Sequence, residues 1–365
     1  MLVAVTGGTG FLGAHTVAAL LRHGHRVRLL ARDPGRVPAA LGPLGADPAA
    51  VDVVHGDVAD PAAAARLVSG VDGLLHAAGV YTFDPRRRTE LRRVNEHGTD
   101  VVLGAARRAR TGRIVHVSTV GALYPAADGT IGPGTPVGRS REAYLASKAA
   151  AETIARRHRA EGAPVTITRP PALLGPHDPH LGDQNARLRD LLRGLTPIWP
   201  SGGLPLGDVR DSAELHARLF DGPAALGPDF FGPGEFVATR EYLATVRAVT
   251  GRRLPAVFLP ARALTGVGRA ADLLQRWWPA HLPVQYGAIH VCAVAVPVEP
   301  GAPVAGVPAR PLAETVADTV AWLAATGRLT ARRAGRAARP AEARSTVPAA
   351  GAGSAGAGPT GKALA

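Results

Sequence analysis

Tyr144 and Lys148 stand four residues apart in the run Tyr144-Leu145-Ala146-Ser147-Lys148, in a chain of 365 residues that holds two lysines and 40 arginines. A position that takes an ammonium where nearly every other cation is a guanidinium carries information. The guanidinium is larger, planar and never deprotonated, whereas the lysine head is a compact charge on a flexible stem that can reach a hydroxyl and a sugar together. Spacing of i,i+4 puts both side chains on one face of a helix. These five residues by themselves also allow a surface helix with an ordinary lysine.

The beginning of the chain supplies a second piece of chemistry. Leu2-Val3-Ala4-Val5-Thr6 is a short apolar run suited to a buried parallel strand, and Gly7-Gly8-Thr9-Gly10-Phe11-Leu12-Gly13 follows at once. Apolar residues at helical spacing (Phe11, Leu12, Val17, Leu20, Leu21) then run to Gly24. Strand, glycine turn and helix in that order form the context that gives such a motif its meaning. Gly7, Gly10 and Gly13 allow a tight turn and a close backbone approach. The N–H groups around Phe11 and Leu12, with the helix dipole, face the charge of a pyrophosphate.

Which dinucleotide is expected follows from the second strand, Arg26 to Ala31. An NAD site places an Asp or Glu about 20 residues after the glycines, on the ribose 2′-hydroxyl. Here that place holds Ala31, and Arg32 follows with a guanidinium for a 2′-phosphate, so NADP is expected and NAD is the less favoured cofactor. Asp33 is one residue away, and a shifted turn would return an acid to the site.

The elements that must position these groups alternate. Val51 to His55 reads as a third strand, followed by Asp57 in a Gly-Asp turn. Asp60-Pro61 reads as the N-cap and first residue of a helix reaching Ser69. Val71 to His76 reads as a fourth strand, with the small residues Ala77-Ala78-Gly79 after it. A helix is expected over Glu90 to Arg110, a strand over Arg113 to Ser118, the Tyr144 helix, and a sixth strand over Val165 to Arg169 that Pro170-Pro171 ends. This order predicts an α/β, Rossmann-type doubly wound parallel sheet over residues 1–170. A smaller C-terminal substrate lobe, partly interleaved with that core, is expected over 171–330, and a disordered Ala/Gly/Pro/Arg-rich tail over 331–365.

Composition narrows the function classes. The net charge is +13, but five of those charges fall in the tail, and the clusters Arg86-Arg87-Arg88 and Arg92-Arg93 lack the interleaved aromatics of a base-stacking surface. A small-molecule substrate and no nucleic-acid partner are expected. Cys292 is the only cysteine, which excludes an internal disulfide and a cysteine metal cluster, and no metal site is expected. The glycine loop lies within six residues of Met1, so no cleaved leader is expected. No uncharged apolar run nears 18 residues, so no transmembrane segment is expected and the expected location is the cytoplasm. Trp277-Trp278 with Leu273 and Leu274 could form a buried helix or touch a lipid-like substrate or membrane surface.

Taken together, TGGTGFLG at 6–13, HGD at 55–57, HAAG at 76–79, NEHGT at 95–99, VSTVG at 117–121, YLASK at 144–148 and RPPALLGP at 169–176 resemble the extended short-chain dehydrogenase/reductase family. The resemblance is to its dihydroflavonol-reductase-like and 3β-hydroxysteroid-dehydrogenase-like branch, also called NAD-dependent epimerase/dehydratase. GDVRD at 207–211 and ARPLAETVADTVAWL at 309–323 resemble the family's second lobe and closing helix.

The resemblance implies Tyr144 as general acid/base and Lys148 as the cation that lowers the phenol's pKa and holds the nicotinamide ribose. A phenol titrating near 10 needs such help to work near neutral pH. It implies Thr119, or alternatively Ser118, as the hydroxyl on the same substrate oxygen; the family usually has serine where Thr119 aligns. It implies Asp57 and Val58 at the adenine, Ala77, Ala78 and Pro171 along the cofactor, Asn95 near a catalytic water chain, and a possible homodimer. For Asn95, an amide that merely caps nearby backbone is an equal reading.

The expected activity is hydride transfer between NADP and a carbonyl or alcohol carbon of a hydrophobic small molecule. Leu188, Leu191, Leu192, Leu195, Ile198 and Trp199 favour this over a nucleotide-sugar epimerase or dehydratase, although Arg187, Arg189 and Arg193 could serve a diphosphate. A non-catalytic NADP-binding regulator of the same fold typically lacks the Tyr/Lys pair.

Overall fold

The computed structural model describes residues 1–222, 229–261, 263, 264, 266, 286–302 and 304–338. The alternation read from sequence builds the first half of the chain. It runs β1 (Leu2–Thr6), α1 (Phe11–Arg22), β2 (Arg26–Ala31), α2 (Val37–Leu41), β3 (Val51–His55), α3 (Pro61–Val68) and β4 (Gly73–His76). It continues through α4 (Arg88–Leu91), α5 (Gly98–Arg108), β5 (Arg113–Val117), α6 (Ala143–Ala160) and β6 (Val165–Arg169). These strands are short apolar runs because helices cover both faces of the sheet. Val3, Val5, Leu29, Leu75 and Val115 face one layer while Ala4, Leu74, Ile114, Val165 and Ile167 face the other.

The second half is β7 (Ala172–Leu174), α7 (Asp183–Arg193), β8 (Ile198–Ser201), β9 (Gly203–Asp208), α8 (Val209–Arg218), β10 (Asp229–Phe231), β11 (Glu235–Ala238), α9 (Thr239–Thr250) and β12 (Val257–Pro260). It does not form a separate block. Strand β10 pairs with β6 and completes a seven-stranded parallel sheet of order β10-β6-β5-β4-β1-β2-β3. Helix α8 packs on α1, sending Ala213, Leu215 and Ala217 into the core of the first half. The remainder is a smaller lobe, with the three-stranded sheet β11-β9-β7 and its own apolar core from Leu174 to Ala337.

Strand order reverses between β1 and β4, where the connections leave towards opposite edges of the sheet. In an open parallel sheet that opens a crevice at the carboxyl ends of the strands. The glycine loop after β1, the Ala77-Ala78 turn after β4 and Ser118-Thr119 after β5 all meet there.

Two expectations need correction. The helix over Glu90–Arg110 is interrupted by a π-helical turn at Arg92–His97, between α4 and α5. The widened turn carries Asn95 inward, where it is 1% exposed and binds Val80 and Ser147.

The tail, in turn, does not begin at Ala331. Ala331–Ala334 forms a helical turn, and Gly335–Ala338 follows it with φ +61° at Gly335, where a Cβ would run into the Thr250 carbonyl. Ala334 and Ala337 are fully buried in the second lobe's core, and Arg336 donates to the Ala248 carbonyl at 2.9 Å. Average composition over 35 residues hid two small side chains placed to pack. The rest of the tail, and the Trp277-Trp278 segment, lie outside the described residues. Among the described residues no helix is long and apolar enough to cross a membrane.

Removing residues 339–365 should leave the melting temperature unchanged. Removing 331–365 should lower it by about 2–4 °C for each kcal/mol of packing lost. Equal melting temperatures for the two truncations, by calorimetry, would show that the 331–338 segment contributes nothing.

Candidate active site

Helix α6 starts one residue before Tyr144, because the Glu142 carboxylate caps it by accepting from the N–H groups of Tyr144 (3.0 Å) and Leu145 (2.8 Å). Tyr144 therefore sits in the first turn and Lys148 one turn further in. Lys148 is 9% exposed, and its Nζ donates to the Val117 carbonyl at 3.0 Å, at the end of β5. Burial pushes its pKa down to about 8, against the pull of the Glu152 carboxylate.

The Thr119 hydroxyl donates to the Pro170 carbonyl at 3.4 Å and lies near enough to the Tyr144 phenol to act on its pKa. The Thr119 hydroxyl also accepts from the Gly121 N–H at 3.3 Å. Ser118, its neighbour, points the other way and donates to Glu152 Oε2 at 2.7 Å. Of the two candidate hydroxyls, only Thr119's is brought to the phenol. Burial first, and the Glu142 charge second, push the phenol's pKa above its ordinary value, and the Thr119 hydroxyl pulls it back.

The phenol ring stands in an aromatic corner. Tyr81 meets it edge-on with ring centres 4.6 Å apart, and Phe83 does so at 5.7 Å. Sequence reasoning did not single out these rings, because nothing local fixes where an irregular segment folds back.

These groups line one cleft of about 490 Å³, and every other residue expected to bind cofactor lines it too. Gly7, Gly10, Phe11, Leu12 and Gly13 form its floor. Gly7 has φ +79°, and a Cβ there would lie 2.7 Å from the Ala77 carbonyl carbon, so the loop and the Ala77-Ala78 turn touch only because it is glycine. The 12-residue helix α1 begins at this floor with Gly10 as N-cap, no side-chain cap and no acid in its first turn. Its first N–H groups and positive dipole end are thus left for an anion, which fits a pyrophosphate.

Arg32, Asp57, Val58 and Pro171 also border the cleft. Asp57 is engaged by protein groups: it accepts from Arg93 Nη1 at 2.9 Å and Nη2 at 3.2 Å, and from the Ala59 N–H at 2.9 Å. Burial would raise its pKa, but Arg93 and that N–H hold it below the usual carboxylate value. At the ribose end Arg36 joins Arg32, a residue the sequence reading did not select. Asp33 is folded into its own turn, accepting from the Gly35 N–H at 3.0 Å and pairing with Arg36, and it does not line the cleft. Asn95 serves backbone: its Oδ1 accepts from the Val80 N–H at 2.7 Å, and its amide donates to the Val80 carbonyl at 3.0 Å.

Beyond Tyr144 the wall is mostly apolar, formed by Phe83, Leu173, Leu204, Pro205 and Val291, with Asp178, His180, Asp183 and Gln184 at the α7 end. Asp178 ties down its own loop, accepting from the N–H groups of His180 (3.0 Å) and Gly182 (2.7 Å). Arg187, Arg189 and Arg193 do not line the cleft. Arg189 pairs with Asp190 at 2.8 Å, and Arg193 donates to the Arg328 carbonyl at 2.9 Å.

The profile of the NAD dependent epimerase/dehydratase family matches residues 3–229. The chain is 30% identical over 290 residues to sterol demethylase protein B of Methylococcus capsulatus, covering 78% of this chain and 85% of that protein. It is 32% identical over 262 residues to a putative dihydroflavonol 4-reductase of Synechocystis, covering 70% and 74%. The crystal structure of gox2253 superposes with a TM-score of 0.74 at 28% identity, covering 90% of this chain and 99% of that one. With the glycine floor, the crevice and the YLASK helix in place, the chain belongs to the NAD dependent epimerase/dehydratase family of extended short-chain dehydrogenases/reductases.

Proposed function

We propose that the protein is an NADP-dependent oxidoreductase that moves hydride between nicotinamide and the carbonyl or alcohol carbon of a hydrophobic small molecule. The observation that carries this reading is the convergence of the Tyr144 phenol, the Thr119 hydroxyl and the buried Lys148 ammonium beneath an apolar, aromatic wall. The nicotinamide, when bound, supplies or accepts the hydride. Everything else falls to side chains of this chain.

Thr119 and Tyr144 together hold the substrate oxygen, so the carbon attached to it is presented in one orientation. In the reducing direction Tyr144 gives its phenolic proton to that oxygen as negative charge develops there. Lys148 sits on the same helix face, where its ammonium favours the phenolate that remains and can hold a ribose hydroxyl. A raised phenol pKa in the protein alone suits a proton donor in reduction. Oxidation needs the phenolate and so depends more heavily on the added positive charge.

The substrate end argues against a nucleotide sugar. Its wall is mostly apolar, with Asp178, His180, Asp183 and Gln184 on the α7 side and the Arg187 charge acting on Tyr81 from outside the lining. A neutral sterol-like or flavonoid-like ketone there would meet Phe83, Tyr81 and Val291, while none of Arg187, Arg189 and Arg193 lines the cleft to take a diphosphate. At the other end, Arg32 and Arg36 with Asp33 turned away favour a 2′-phosphate over a bare ribose hydroxyl.

Two outcomes test this reading. NADPH should bind more tightly than NADH, and Arg32→Ala should reduce that preference at least about tenfold, since a charge-assisted contact contributes roughly 1.5–3 kcal/mol. Equal affinities in the wild type would remove the assignment of Arg32. The second outcome uses a panel of sterols, flavonoid-like ketones and aldehydes, followed by NADPH absorbance. On any substrate found, Tyr144→Phe should lower kcat by about 10²–10⁴ while NADPH affinity stays within a few-fold. Full turnover in that variant would falsify the proposed acid/base role.

A further inference from the structure

Glu152 lies one helical turn beyond Lys148 on α6 and is fully buried. A carboxylate is rarely taken out of water without dedicated partners, and the chemistry proposed above does not use it. Its partners come from three places. Ser118 Oγ donates to Oε2 at 2.7 Å, and Arg156 Nη2, from the next turn of α6, donates to Oε1 at 2.7 Å. Arg169, also fully buried at the end of β6, donates from Nη2 to Oε1 at 2.8 Å and from Nε to both oxygens at 3.2 Å. The same Arg169 Nη2 reaches Asp229 Oδ2 on β10 at 2.8 Å, and Arg159 holds that carboxylate's other oxygen at 2.9 Å.

This cluster bolts α6 to the carboxyl ends of β5 and β6 and to the start of β10. Ser118 stands between Val117, whose carbonyl takes the Lys148 ammonium, and Thr119, whose hydroxyl lies near the phenol. One carboxylate therefore reaches both supports of the catalytic set. It also sets the local charge. His76 from β4 and His116 from β5, buried and stacked 5.6 Å apart, both lie near enough to Lys148 to feel its charge. Burial holds both histidines neutral at pH 7, His76 with a pKa of about 3. The side-chain charge that acts on Lys148 itself is that of Glu152, one turn along the helix.

We propose that Glu152 is a positioning residue for the reaction: through Ser118 it fixes the Val117–Thr119 backbone under the phenol, and through its charge it keeps Lys148 in the ammonium form. The reason Lys148 must be charged rests on the oxidoreductase reading. The effect on Lys148 does not, and it can be measured alone.

The chain has only two lysines, so the full-length protein labelled with ¹³C-lysine gives two Cε signals, Lys148 and Lys362, with Lys362 as internal reference. In the wild type Lys148 should titrate near pH 8, where burial and Glu152 together place it. In Glu152→Gln its titration should fall by roughly one pH unit, and in Glu152→Asp, which keeps the charge, most of that fall should be recovered. Arg156→Gln guards against a Glu152→Gln variant that fails to fold. Arg156 sits at the rim of the cluster with a third of its side chain exposed, and its removal leaves the carboxylate less neutralised, so Lys148 should titrate higher. An unchanged Lys148 titration in folded Glu152→Gln, or no rise in Arg156→Gln, would overturn the proposal. A shift as described in a protein that turns over no carbonyl substrate would support the role of Glu152 and count against the oxidoreductase reading instead.

Discussion

The contact between the Lys148 ammonium and the Val117 carbonyl is the point on which the rest of the structure is arranged. An ammonium taken out of water costs several kcal/mol unless it meets good partners, and here it is 9% exposed with that carbonyl at 3.0 Å. For the carbonyl to be in place, β5 must end at Val117, with the chain turning through Ser118 and Thr119 at the mouth of the crevice. For the ammonium to be in place, α6 must cross that mouth with its first turn above it, which fixes Tyr144. The sheet order then brings the glycine floor after β1 to the same edge. Fold and site are thus one geometric problem, and Glu152 and Arg169 supply the buried ion pairs that hold the two sides together.

The cleft divides its electrostatics by position. At one end Arg32 and Arg36 line it, while Asp33 is turned into its own loop beside Arg36 and Asp57 is held by Arg93. At the pyrophosphate, charge is met by an uncapped helix start rather than by a side chain. Around Tyr144 the wall turns aromatic and aliphatic. One elongated site can therefore take a highly charged cofactor and an apolar substrate side by side.

Much of this was legible before any coordinates. Parallel strands buried on both faces must be short continuous apolar runs, so β1, β2, β3 and β6 could be bounded at the residue from sequence. The glycines and Tyr144-x-x-x-Lys148 were legible because their spacing is local. What was not legible depends on contacts distant in sequence. Ser118 and Thr119 are equivalent as letters, and only the position of Glu152, 34 residues away, separates them. Tyr81 and Phe83 become site residues through an irregular loop that folds back on α6. Asn95 entered through a π-helical turn that no helical periodicity reveals. Ala334 and Ala337 were lost in the average of an alanine-rich tail, although a buried alanine is recognisable only by what it packs against.

The central claim is net hydride transfer rather than internal recycling of the cofactor. Deuterium placed at C4 of the nicotinamide in NADPH separates the two, with the released product analysed by mass spectrometry alongside the nicotinamide absorbance. The account predicts one deuterium on the carbinol carbon of the alcohol product and one NADP⁺ formed for each product molecule. A product that carries no deuterium, released while NADPH absorbance stays constant, would contradict it and place the protein among the epimerases or dehydratases of its family.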